Sequence, residues 1–406
     1  MRSRNYLFLF LISLFSASSG KINAQSESKA DYSIRLDVVT EGFDGESCWF
    51  HPRAGIIPGK NGTEIVFTMQ KWMVKRSDVF FPLWGTSSSD NGKTWSKIIE
   101  HSHALGRTPG KNGTEIGISD FSPKWHAKSG KLLGTGHTVT YKDNHLVPGS
   151  FRRTIYSFYD QKTGNWSKWE SLNLPDTLKF YSEGAGSTQR IDLPNGDILL
   201  PSYFGAKQEK LNASVTVMRC RFDGEKLRYI EHGSELSIDN GRGFVEPSIT
   251  QYKGSYYLTI RNDNLAYVAV SKDGLNYDQP IEWRFDDGES LGNYNTQQHW
   301  VTHSDGLYLV YTRKGANNEN VIRHRAPLFI AKIDTEKMAV IRSSEKILVP
   351  NKGAQLGNFG VVHINENETW VTTSEGMSQG TAYGANGRVY AARILWSNPN
   401  KLWNKQ

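Results

Sequence analysis

A short unit, a tight turn leading into an apolar strand, recurs along this chain and narrows the folds open to it more than any other feature. It reads NGTEIVFTMQ from Asn61, SGKLLGTGH from Ser129, NGDILLPSY from Asn195, KGSYYLTIR from Lys253, DGLYLVYTR from Asp305 and NETWVTTSE from Asn367. The starts lie 68, 66, 58, 52 and 62 residues apart. Six turn-and-strand units at that spacing are what radially repeated four-stranded sheets require. The octapeptide PGKNGTEI, at 58–65 and again at 109–116, is a second sign of internal repetition. Composition agrees, with 38 glycines, 12% aromatic residues and no long Leu/Ala/Glu/Lys tract. The expectation is an all-β fold, a six-bladed β-propeller occupying 25–406 as a single domain.

The first residues, MRSRNYLFLFLISLFSASSGKINAQ, place Arg2 and Arg4 before an apolar run and small polar residues after it. This pattern predicts an export signal over 1–24, cut after Ala24, and hence a periplasmic or secreted protein. The apolar run is too short for a stable membrane span, and no later stretch approaches that length. The formal net charge is +7, yet 48 basic residues are scattered among 41 acids. That distribution favours anionic small ligands and argues against a nucleic-acid partner. Cys48 and Cys220 leave two readings open, one disulfide or two buried thiols.

Aligning the repeats on their turns shows where chemistry can gather. Seven residues after the turn glycine stand His137, Tyr203, Arg261 and Arg313, and Glu375 has the same offset in the sixth copy. Rotational equivalence would set these around one mouth of a propeller. Antiparallel pairing brings the start of the preceding strand to the same end, which adds Arg53, Ser122, Thr188, Glu246 and His299. Alternation along a strand would turn His51 the same way as Arg53, and His303 the same way as His299. His299 and His303, four apart on a strand, are too distant for a simple chelate, so no metal site and no cofactor are assigned.

Several segments resemble the sialidase superfamily, and the resemblance covers nearly all of 25–406. SSDNGKTW at 88–95 matches the Asp-box, with SKDGLNY at 271–277 as a degenerate second copy. FHPRAGIIPG at 50–59 resembles the segment carrying the first carboxylate-binding arginine, here Arg53. GAGSTQRIDLPNGDILLPSY at 184–203 and FVEPSITQYKGSYYLTIRND at 244–263 resemble later sialidase segments, with Glu246 and Arg261 in the places of the assisting glutamate and second arginine. Arg313, Arg323 and Arg325 are all available as the third arginine. The resemblance implies a sialidase-type propeller whose Asp-box is structural.

The candidate site departs from a sialidase in its chemistry. Asp78 is the nearby acid in the acid/base place, and Tyr383 or Tyr390 would have to serve as nucleophile, while His51, His137, His299, His303 and His324 crowd the candidate segments. Histidine, tyrosine and arginine together suit removal of the proton α to a carboxylate and expulsion of a β oxygen. Propeller ulvan lyases are similar in fold and in this use of residues. The expected function is action on a terminal uronate of an acidic oligosaccharide or polysaccharide, as a dehydratase or lyase. His137, Tyr203, Glu246 and His299 are the catalytic candidates, with His51, Arg53, Arg261, Arg313, Arg325 and His303 binding substrate. A sialidase-like glycosidase and a non-catalytic glycan-binding propeller are the alternatives.

Overall fold

The structure is a computed structural model that describes Met1 and residues 31–59, 62–208 and 212–403. The export signal expected over 1–24 therefore lies outside the described residues, apart from Met1. From Asp31 onward the described strands form six antiparallel sheets arranged as an all-β propeller. Each repeat forms the second strand of one sheet: Gly62–Met73, Lys131–Lys142, Asp197–Gly205, Ser255–Arg261, Gly306–Tyr311 and Glu368–Ser374. Five sheets are built from consecutive strands. The last takes its outer strand, Tyr32–Glu41, from the other end of the chain, pairing it with Arg388–Trp396.

These strands read as apolar runs because each is buried on both faces. Ile65 and Phe67 pack with Trp370 and Ala391 of the last sheet, while Val66 between them packs with Ile118 and Leu132 of the second. Ile198 and Leu200 likewise face Leu133 of the second sheet, and Leu199 faces Ile249 of the fourth. The core is thus divided among the interfaces between neighbouring sheets, closing with Val310 and Val371 between the last two.

The Asp-box and its second copy both follow a third strand. Asp90 accepts from the Thr94 amide (2.9 Å) and hydroxyl (2.6 Å), and Ser88 Oγ accepts from the Gly92 amide (2.8 Å). Gly92 has φ +75°, and a Cβ there would lie 2.5 Å from Trp370, so neither a side chain nor a right-handed backbone fits. Asp273 and Ser271 repeat the arrangement on the amides of Asn276 and Gly274. The repeated octapeptide has no such equivalence. At 58–65 its described residues end the first sheet's strand Ser47–Gly59 and begin the strand Gly62–Met73, whereas at 109–116 it leads into the second sheet's strand Glu115–His126. Cys48 and Cys220 are free buried thiols on separate sheets, the second of the two readings left open by the sequence.

Candidate functional site

The innermost strands of the first, second and fourth sheets carry the same irregularity. Pairing runs from Phe50 opposite Gln70 to Arg53 opposite Thr68, from Ser119 opposite His137 to Ser122 opposite Thr135, and from Val245 opposite Arg261 to Ser248 opposite Thr259. Three residues advance on one strand for two on the other, which is a β-bulge. The first extra residue is left-handed each time: His51 (φ 50°), Asp120 (φ 54°) and Glu246 (φ 46°). Ser187 and Asn295 adopt the same backbone in the inner segments of the third and fifth sheets. Non-glycine residues seldom take this conformation, and its recurrence around the axis marks the mouth where polar side chains converge.

A cleft of about 660 Å³ opens at that mouth. His51, His137, Tyr203, Glu246, Arg261 and Arg325 all line it. Its centre is Asp120, which the sequence reading passed over in favour of Ser122 two places on. Asp120 Oδ1 lies 3.1 Å from His51 Nε2 and also accepts from the Ser187 hydroxyl, and Oδ2 lies 3.9 Å from His137 Nε2. Burial alone would raise this carboxyl, but the histidines, Arg53 and Ser187 outweigh it and hold it well below the usual carboxylate range. The His51 contact assigns its proton to Nε2.

His137 is pushed down to about 3 by burial and then by Arg152, so it is neutral at ordinary pH. Its ring packs tightly against the GAG segment, where a Cβ on Gly186 would lie 2.0 Å from Nδ1. Tyr203 meets His137 edge-on, with ring centroids 6.1 Å apart. Burial pushes the Tyr203 phenol up to about 12, against a lowering pull from Arg152. Arg152 donates to the phenol oxygen (2.9 Å) and lies over the ring at 4.1 Å. The tyrosine therefore carries its proton at neutral pH, beside a cation that would stabilise its anion.

The opposite wall is cationic. Arg261 bonds Glu246 through Nη1 and Asn295 Oδ1 through Nη2 (2.7 Å). Arg325 is buried against neutral acceptors, Gln355 Oε1 (3.3 Å) and Asn295 O (2.7 Å). Burial, followed by repulsion from Arg261 and Arg323, pushes its pKa down to about 9. A buried guanidinium with no carboxylate partner among the described residues, beside two more arginines, is suited to an incoming anion.

Several expected positions fall elsewhere. Arg53 lies beneath the cleft, donating to Pro52 O and Asn358 O (both 3.1 Å) and to Ser187 Oγ (3.4 Å), and so supports Asp120 from below. His299 is in the axial core with both ring nitrogens engaged, Nδ1 by Ser248 (2.9 Å) and Nε2 by Gln297 (3.0 Å). Arg313 follows a strand that ends at Tyr311, and its guanidinium forks onto Glu345 (2.8 and 2.6 Å) outside the cleft. His303 does share the strand His299–His303, but four residues amount to about 13 Å of travel, away from the mouth. There it packs on Trp396 and bonds Asn398 O (3.1 Å). Glu375 is held by the Tyr390 hydroxyl (2.7 Å), which removes both from the cleft lining, and Tyr383 is exposed away from it.

The ring of sheets and its axial cleft define a sialidase-like β-propeller fold. Among solved structures, Trypanosoma rangeli sialidase in complex with the inhibitor DANA is similar at a TM-score of 0.58 and 14% identity. That match covers 90% of this chain and 59% of the trypanosomal one, so the chain spans under two thirds of that relative. The NanB sialidase of Streptococcus pneumoniae is similar at a TM-score of 0.57 and 11% identity, over 89% of this chain and 70% of the other. At the level of sequence, no family model and no curated protein matches.

Proposed function

We propose that this protein is an exported, carbohydrate-active six-bladed propeller enzyme that removes the C5 proton of a terminal uronate and expels the oxygen at C4. The observation that carries the reading is the pairing, across one cleft, of a neutral histidine and a protonated tyrosine with an arginine wall that lacks sufficient acid partners. Arg261, Arg323 and Arg325 hold the carboxylate, replacing the outlying Arg313. Their charge favours the enediolate that forms as His137 takes the C5 proton. The C4–O4 bond then breaks as the C4–C5 double bond forms, and O4 receives the Tyr203 proton. Arg152 stabilises the phenolate left behind.

A free hydroxyl at C4 leaves as water, which makes the reaction a dehydration; a sugar attached through O4 leaves in a lyase reaction. The test is incubation with a panel of uronate oligosaccharides, read by ultraviolet absorbance of the conjugated enoate and by mass. Loss of water, or cleavage accompanied by the chromophore, is expected. A second reading, hydrolysis of a terminal sialic acid, is favoured by Asp78, which lines the cleft from the lip as an acid/base would. Release of a free acidic sugar without a chromophore would select it and overturn elimination.

A further inference from the structure

Arg261 and Arg325 come from different sheets, Arg261 from the end of the strand Ser255–Arg261 and Arg325 from the loop after the strand Gly306–Tyr311. One residue touches both. Asn295 accepts from Arg261 Nη2 through its side-chain Oδ1 and from Arg325 Nη2 through its main-chain oxygen, each at 2.7 Å. Its own amide is tied to the carbonyl of Asn262, the residue after Arg261 (2.8 Å), and the Thr296 hydroxyl also donates to its carbonyl (2.9 Å). Arg261 and Arg325 are buried and line the cleft, whereas Asn295 does not line it and stands behind them.

This position makes three demands. The backbone is left-handed (φ 46°), which asparagine tolerates better than most residues and glycine accepts freely. Two oxygens must accept from two guanidiniums, and glycine has only one to offer. Those oxygens must also carry no net charge. Arg261 and Arg323 act on Arg325 together with Glu246 and Asp78, while the nearby Arg242 is already paired with Asp263. Three arginines against two acids leave one positive charge for a ligand, and an aspartate at 295 would cancel it. Asparagine meets all three demands. We propose that Asn295 is the positioning residue of the anion site: it fixes the Arg261 and Arg325 guanidiniums relative to each other and, being uncharged, leaves their charge for the carboxylate of the sugar. The proposal deepens the uronate reading and rests on one part of it, that a carboxylate enters the cleft.

The experiment compares the native protein with Asn295→Asp and Asn295→Gly. It measures binding of D-glucuronate and N-acetylneuraminate by calorimetry, melting temperature, and turnover of uronate oligosaccharides. Asn295→Asp keeps the shape and both acceptors, so for a residue that merely held the fold together it would be a neutral change. For the positioning role, acidic-sugar affinity should fall about tenfold while the melting temperature stays at or above the native value. Asn295→Gly keeps the backbone and the carbonyl on Arg325 but releases Arg261. Affinity should then fall about fivefold, and kcat with it, because the charge on the carboxylate grows toward the transition state. Native affinity in Asn295→Asp, or affinity and melting temperature falling together in both variants, would overturn the assignment. A native protein that binds the acids yet eliminates nothing would overturn the elimination but not Asn295, whose variants are judged by binding. A native protein that binds neither acid would overturn both.

Discussion

Asp120 and His137 show how burial decides what a polar side chain can do. The carboxylate stays ionised because its neighbours His51, His137, Arg53 and Ser187 outweigh its burial, and the imidazole of His137 stays neutral because charging it would cost desolvation beside Arg152. His137→Ala and Tyr203→Phe should each depress turnover by roughly 10²–10⁴-fold with folding retained, checked by steady-state kinetics and circular dichroism. Arg261→Lys keeps the charge but loses the fork that engages Asn295 and Glu246, so turnover should fall together with affinity, and a methyl-esterified substrate should be poor even for the native enzyme. Normal rates for both would remove the carboxylate from recognition. The same burial predicts a pH dependence of stability. An unfolded histidine titrates near 6.5, whereas native His137 and His363 are pushed down to about 3 and His101 to about 4. Between those values the unfolded chain binds more protons, so stability is complete above about pH 6.5 and declines as pH falls toward 4. Urea midpoints at pH 7, 5.5 and 4.5 should decrease in that order, less steeply in His137→Gln; a constant midpoint would contradict the neutral-histidine assignment.

The elements divide into those that periodicity reveals and those it conceals. Second strands were legible because burial on both faces writes a continuous apolar run, as in Ile65–Val66–Phe67 and Ile198–Leu199–Leu200. Inner strands were not, because the expectation that His51 and Arg53 share a face assumed unbroken alternation. A bulge intervenes, and the two residues meet Asp120 by different routes, His51 directly and Arg53 through Ser187. One signal for Asp120 was present in the sequence: it precedes Ser122 by the two places that separate His51 from Arg53. Arg325 escaped the repeat alignment for another reason, since it comes from the loop after the second strand rather than from the strand. The Asp-box is the converse case, legible as a motif and remote from the cleft. Trp95 packs edge-on against Phe67 and tilted against Trp370, clamping the first sheet to the last. Trp95→Ala should therefore lower stability by about 2 kcal/mol, the worth of one half-buried aromatic, with kcat unchanged. A loss of kcat at unchanged stability would mean that the motif communicates with the mouth.

A wheel of sheets concentrates function on its axis and stability on its closure. The cleft needs inner strands from every side to stay in register: His51 from the first sheet reaches Asp120 of the second, and Arg53 reaches Asn358 in the segment leading to the last. Register around the ring is secured where the chain's two ends meet. Tyr32–Glu41 lies antiparallel along Arg388–Trp396, and Tyr32 packs edge-on to both Trp396 and Tyr308 of the neighbouring sheet. Asp31 adds contacts to that same neighbour, accepting from the Tyr308 hydroxyl (2.8 Å) and Lys332 (3.0 Å). Removing residues 31–41 would expose the full edge of Arg388–Trp396, with unpaired amides and carbonyls beside an apolar face, a template for association. The truncated protein should melt at a lower temperature and self-associate in light scattering. It should also lose activity, although no residue of that strand lines the cleft. Adding the missing strand as a separate peptide should restore part of both properties, because antiparallel pairing needs no covalent link. A truncated protein with native melting temperature and native turnover would show instead that the sheets hold their ring by lateral packing alone, and that the mouth does not depend on its closure.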